Sequence, residues 1–227
     1  MLGPNWERLW RSAGIQFVVL FVVAFIIYGD QPKVGASQEK LVSFYDGDRT
    51  RILVASVIFG LAILNLLWFG AALNSALRDA GQGGWGAAAT AASVALGTLF
   101  FLLTTIGAAL AYSIAGAGNA SLTSGLNDFS WVLTVLGSFP AAMLIMSGSF
   151  GLWRAGMISN AVFSVGVAAV ILVLAGTTTW ASDGFWAPDG AYNRWITTII
   201  GLVWLAAVSA FLTMRSPAPD SAPVPAA

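Results

Sequence analysis

"ILVASVIFGLAILNLLWFGAALNSAL" occupies residues 52–77 and contains no charged side chain. The run exceeds the ~20 apolar residues that carry a helix across a ~30 Å hydrocarbon core. Lipid offers a lone segment's backbone no partner but itself, so such a run must be helical. Five comparable runs lie around it: Ala13–Tyr28, Trp85–Ile114, Phe129–Trp153, Ile158–Thr177 and Trp195–Met214. None carries a charge deep inside. The first is short, and the Trp6–Trp10 turn before it can extend it at the interface. The expected fold is all-α, an integral membrane bundle of six transmembrane helices forming a single domain over residues 1–215. The segment "SPAPDSAPVPAA" (216–227) is Pro/Ala-rich and is expected to be a disordered tail.

Composition supports the same class. The 227 residues are 58% hydrophobic and 9% charged, with a mean hydropathy of +0.81. Soluble domains carry roughly a quarter charged residues. A soluble fold of this length could not hide so much apolar surface, whereas a bilayer tolerates it outside as well as inside. The formal net charge is zero, so no basic field exists to attract nucleic acid. Cys and His are both absent. Disulfides, thiol catalysis, ordinary haem ligation, zinc sites and most hydrolytic triads are thereby excluded. No metal and no cofactor is expected. Arg outnumbers Lys, and Ala and Gly are abundant, which suggests a GC-rich bacterial source and a plasma-membrane location.

Arg8 and Arg11, the apolar core that follows and "VGA" at 34–36 together resemble a signal peptide. The segment is nevertheless expected to be retained as a spanning helix. With the N-terminus inside, the inner face holds Arg8, Arg11, Arg78, Arg154 and Arg215, and the outer face Lys33, Lys40, Arg49, Arg51 and Arg194. The counts tie. The inner residues sit in short segments beside helix ends, where the positive-inside rule acts most strongly, so both termini are expected to be cytoplasmic. Inner loops are short (78–84 and 154–157), and outer ones longer (29–51, 115–128 and 178–194).

The outer loop contains "FYDGDRTR" (44–51). Asp46 and Asp48 stand one residue apart, as cation ligands can. Arg49 and Arg51 follow at once, and a cation site does not normally place guanidiniums beside its carboxylates. The preferred reading is a short amphipathic helix over 36–45, with Ser37 capping it and Leu41, Val42, Phe44 and Tyr45 on the membrane surface. Asp46-Gly47 is then a turn, and Asp48 the N-cap of the second spanning helix. The alternative is that Asp46, Asp48, Arg49 and Arg51 form outer-face ion pairs or meet lipid headgroups.

Polar residues within spans are functional candidates. They are Asn65, Asn74, Thr104, Thr105 and Ser147, with Pro140 as a hinge or pocket wall in "GSFPAAMLIMSGSFG" (137–151). Asn65, in mid-helix, is expected to bond another helix. The competing reading makes it a polar contact in a cavity for a lipophile. Gly137, Ala141, Ser147 and Gly151, and likewise Ala89, Ser93 and Gly97, form small-residue stripes suited to close helix contact. Trp6, Trp10, Trp180, Trp186 and Trp195 fit an interfacial aromatic belt.

The "RSAG" start of the first helix (11–14), "EKLVSFYDGDRTRILVAS" (39–56), "LLWFGAALNSALRDAG" (66–81) and "LNDFSWVLTVLGSFPAAMLIMSG" (126–148) recur in an order that resembles uncharacterised six-helix integral membrane proteins of high-GC Gram-positive bacteria. No activity, cofactor or catalytic residue is assigned to that group, so the resemblance implies a fold and no chemistry. The functional expectation is a non-enzymatic membrane protein, either an accessory subunit of a membrane complex or a binder of lipid or another lipophile. Its expected partners are membrane lipids and a partner subunit. A small transporter or channel is the alternative. An intramembrane enzyme would have only loop acids such as Asp46, Asp128, Asp183 and Asp189 to use.

Overall fold

The computed structural model describes residues 4–215, so the tail at 216–227 lies outside the described residues. Every described element is helical. In chain order they are α1 (Pro4–Arg11), α2 (Ala13–Tyr28), α3 (Gln38–Val42), α4 (Arg49–Asp79), α5 (Gly83–Ala109), α6 (Ala120–Arg154), α7 (Asn160–Ala175) and α8 (Thr198–Met214). Five stretches are long and apolar enough to cross a membrane: Arg49–Asp79, Gly83–Ala117, Ala120–Arg154, Asn160–Thr178 and Tyr192–Met214. α2 is as apolar but only 16 residues long.

From α4 to α7 each long helix packs on its predecessor, α2 lies on α4, and α8 returns to lie against α2 and α7. Arg11 ties the two ends of the described chain together. Its Nη1 donates to the carbonyls of Leu212 at 3.3 Å and Arg215 at 3.2 Å. That side of the bundle is its termini end, and the opposite side, carrying α3 and the 29–37 and 179–191 segments, is its cap end. Phe17, Leu66, Phe69, Leu73, Leu96, Leu144 and Leu205 form the main core towards the termini end. A second cluster around Leu41, Tyr45, Ile52, Ile106 and Leu110 underlies the cap.

α4 and α5 approach closely through small residues. A Cβ on Gly70 would lie 2.5 Å from Ser93 Oγ, and one on Gly86 only 2.4 Å from Asn74 Oδ1. Ser93 and Ala89 are buried in this contact, as their stripe on the sequence implies.

Several expectations at the cap end are corrected. The segment 115–128 is mostly helix. α5 continues through π-helical (Leu110–Ile114) and 3-10 (Ala115–Ala117) turns, Gly118 takes the left-handed backbone at φ 78°, and α6 starts at Ala120. Asn119 caps that start by accepting the Leu122 N–H at 3.1 Å. Leu41 and Tyr45 do not lie on a membrane surface; each is only 1% exposed and belongs to the core. Ser37 occupies the position before α3 but makes no side-chain cap bond. Asp46-Gly47 ends a π-helical turn, Ser43–Gly47, instead of forming a tight reverse turn. Asp48 precedes α4 without capping it. Its carboxylate instead accepts from Arg51 Nη2 at 2.6 Å, because a guanidinium one turn along competes for the same oxygens.

Asn65 is also corrected. Its Nδ2 donates to Leu61 O of its own helix at 2.9 Å. A helical amide reaches the carbonyl four residues back without leaving its own surface, so it needs no neighbour.

Candidate functional site

A cavity of about 230 Å³ lies among α2, α4, α5, α6 and α8. One wall is a single stripe of α2, Phe17, Phe21, Phe25 and Tyr28, residues spaced to share one helix face. Phe59 of α4 and Phe100 of α5 meet this stripe. The Phe21 ring stands edge-on to Phe59 with centroids 5.3 Å apart, and Phe17 stacks on Phe100 at 6.4 Å. α6 contributes Ser130, Thr134, Gly137, Ser138 and Ala141, and the α8 side Arg194, Thr197, Thr198, Gly201 and Leu205. A Cβ built on Gly137 or Gly201 would meet no atom within 4 Å. Both glycines therefore hold the cavity open, and Gly137 does not serve the close helix contact its stripe suggested.

The two ends of the cavity differ. Towards the termini end it stops at Phe17, Leu96 and Leu205, all members of the main core. Towards the cap it becomes polar. Tyr45 Oη donates to Asn127 Oδ1 at 2.9 Å, and Gln31 Nε2 to Ser130 Oγ at 2.7 Å. Trp131 Nε1 donates to Pro32 O at 2.9 Å, and Asn127 Nδ2 to Lys33 O at 3.2 Å. These bonds fasten the 29–37 segment over α6. Burial pushes the Tyr45 phenol well above its ordinary pKa, and the adjacent Tyr28 adds to the shift. Tyr45 is thus a neutral donor across the physiological range.

Arg194 sits at this polar end. Its side chain is 14% exposed and pairs with Asp30, whose own side chain is 85% exposed. The guanidinium lies 5.3 Å above the Trp195 ring, while its Nε is buried without a hydrogen-bond partner. By contrast, Ser56, Thr104, Thr134 and Thr197 all donate to carbonyls of their own helical turns. Their remaining lone pairs make the middle of the cavity weakly accepting, and Arg194, the one charged donor in its lining among the described residues, stands at the cap end.

Of the polar candidates from the sequence, Thr104 lines this cavity, while Asn65, Asn74, Thr105, Pro140 and Ser147 do not. Thr105 Oγ1 donates to Phe101 O at 2.7 Å on an exposed face, and Ser147 Oγ to Met143 O at 2.7 Å. Pro140 lies inside α6, next to the lining residue Ala141. Asp46, Asp48, Arg49 and Arg51 stay at the cap surface, where Arg49 covers the Tyr112 ring at 4.9 Å and Arg51 the Phe44 ring at 5.6 Å. Asp189 Oδ2 accepts from the Val34 N–H and Asp128 Oδ1 from the Gly35 N–H, each at 3.2 Å. Those acids staple the cap through consecutive N–H groups of the 29–37 segment. Among the described residues no group of three His, Cys, Asp or Glu is placed to hold a metal ion.

Trp6, Trp180 and Trp195 are about half exposed. Trp10 stands edge-on to Trp68 at 6.5 Å, and Trp186 Nε1 donates to Thr178 O at 2.8 Å. The sequence reading missed the α2 stripe and Arg194. The signal for the first is an aromatic at every third or fourth position (17, 21, 25 and 28) of a mostly aliphatic helix. The second is the lone cation at the start of the last span. No family model, no curated protein and no solved structure matches the chain.

Proposed function

We propose that this is a non-enzymatic, multi-pass protein of a bacterial plasma membrane that binds a lipophilic molecule in the cavity behind α2. One observation carries the reading, an aromatic-lined cavity that is mostly apolar, carries scattered hydroxyls along its length and is most polar at one end. An apolar pocket with a few convergent polar groups is the usual form of a small-molecule site. Closure of its inner end by Phe17, Leu96 and Leu205 favours binding over passage, because a transporter or channel needs a polar route past that level. α2 serves as a sixth span, with α1 and its exposed Trp6 lying at the interface to make up its length. An accessory-subunit role would instead place a partner protein on the exposed helix faces.

Native mass spectrometry of gently extracted protein tests the reading. The wild type is expected to retain a lipophile. Gly137→Leu, which puts a side chain into open cavity space, is expected to lose it while remaining folded. Equal lipophile content in both proteins, or a bound partner subunit and no lipophile, would sink the proposal.

A further inference from the structure

Resting on the lipophile-binding reading, we infer that the ligand is a single-chain amphiphile with a carboxylate head, a long-chain fatty acid, held by Arg194 at the cap end. Three observations converge. The first is depth. The α2 stripe from Phe17 to Tyr28 lines the cavity, and these eleven steps cover about 16 Å at 1.5 Å per residue. That is roughly half of a ~30 Å hydrocarbon core, the depth of one leaflet, with the polar groups at the level where headgroups lie. The second is width. A volume of about 230 Å³ falls below the roughly 300–1,000 Å³ of pockets for drug-sized ligands. It leaves no room for a two-chain lipid, and of a single chain it takes in only the part next to the headgroup.

The third is charge. Arg194 is the one Lys or Arg lining the cavity among the described residues. Its partner Asp30 is almost fully in water, and its Nε is buried with its hydrogen bond unmade. A guanidinium offers a planar fork of donors that matches a carboxylate. An incoming carboxylate can take the unmade bond and replace Asp30, which water readily solvates. A single cation balances a monoanion, whereas a phosphate monoester carries ≈ −1.5 to −2 charges and would leave charge unneutralised.

The test is binding of palmitate, hexadecanol and hexadecyl phosphate to the delipidated full chain in detergent, followed by displacement of a fluorescent fatty acid. Palmitate is expected to bind about tenfold or more tighter than hexadecanol, because its carboxylate meets the guanidinium with opposite charge and two acceptor oxygens. Arg194→Gln should remove that preference, weakening palmitate much more than hexadecanol. Asp30→Asn should tighten palmitate severalfold by removing the internal competitor. A purely structural ion pair would make both substitutions weaken binding alike. If Arg194→Gln does not fold, Asp30→Asn decides alone, and unchanged or weaker palmitate binding there overturns the inference. Palmitate and hexadecanol binding equally, or hexadecyl phosphate binding tightest, would also overturn it while leaving lipophile binding intact. Failure of all three probes in the wild type, with Gly137→Leu indistinguishable, would defeat the underlying reading as well.

Discussion

Single side chains in this bundle show how burial decides what a polar group can do. Tyr45 is 1% exposed, and its hydroxyl has the fully buried Asn127 as acceptor. In the unfolded chain a tyrosine ionises near pH ~10, whereas folding holds the Tyr45 pKa higher through burial. Below about pH 10 both states carry the proton and stability does not depend on this group. Above it the unfolded state releases the proton and the folded state keeps it, so stability falls as pH rises. Thermal unfolding followed from about pH 8 to about pH 11 should show this fall, and Tyr45→Phe should flatten it relative to the wild type. Equal alkaline slopes would place the effect on other tyrosines. Tyr45→Phe should also cost ~1–3 kcal/mol near neutrality, because the buried Asn127 Oδ1 keeps only the long 3.5 Å bond from Gln31 Nε2. Asp48 and Asn65 teach the complementary lesson. The sequence marks both as polar groups in need of partners, and both have one. Which partner is a matter of competition invisible along the chain. Asp48 takes Arg51 over the helix N–H groups, and Asn65 takes its own Leu61 carbonyl over a neighbouring helix.

Among the helices, spacing was legible and facing was not. The apolar run of α4, its lack of charges and its small residues are plain in the sequence, and the helix follows from them. Gly60 and Gly70 sit in that same helix ten residues apart, with nothing local to tell them apart. Packing separates them. A Cβ on Gly60 meets nothing within 4 Å, while one on Gly70 would lie 2.5 Å from Ser93 Oγ and 2.7 Å from its Cβ. Gly60→Ala is therefore expected to be neutral or stabilising by up to ~1 kcal/mol, the gain in helix propensity. Gly70→Ala must part α4 from α5 and should destabilise by ~1–3 kcal/mol. Thermal melts of the two variants side by side check this, and equal melting temperatures would mean that α4 and α5 do not meet as described. The same limit hid the α2 stripe. Phe17, Phe21 and Phe25 can be read along the chain as one face of a helix. That this face borders empty space follows only from Gly137 and Gly201 on two distant helices. The outer connection at 115–128 failed for a related reason. Its polar, Gly-containing sequence resembles a loop, yet Asn119 supplies a cap and α6 begins there.

Orientation in a membrane is set by the distribution of charge over the entire bundle. Arg11 bonds the last described turn, and Arg215 Nη2 donates to Met157 O at 3.2 Å. The termini and the α6–α7 turn thus share one end, and Arg78 and Arg154 close helices at that end. At the opposite end Arg51 is paired with Asp48 and Arg194 with Asp30, and Arg194 is largely withdrawn from solvent. Lys and Arg beside short loops favour the cytoplasmic side, so the termini end is expected to face the cytoplasm. α2 is the open point in the span count, because its 16 residues reach only about 24 Å at 1.5 Å per residue. For α2 to cross, a locally thinned bilayer or a contribution from α1 would have to supply the difference. The chain has no native cysteine, so single substitutions report cleanly. Lys33→Cys and Asp183→Cys, both exposed at the cap end, should react with a membrane-impermeant maleimide on intact cells. Leu9→Cys and Asp79→Cys, exposed at the termini end, should react only after permeabilisation. The reverse pattern would invert the orientation. Reaction of the Leu9 and Lys33 cysteines from the same side would show that α2 does not cross. The Phe17–Tyr28 wall would then lie along the membrane instead of through it, and the leaflet-depth argument for its ligand would fall with it.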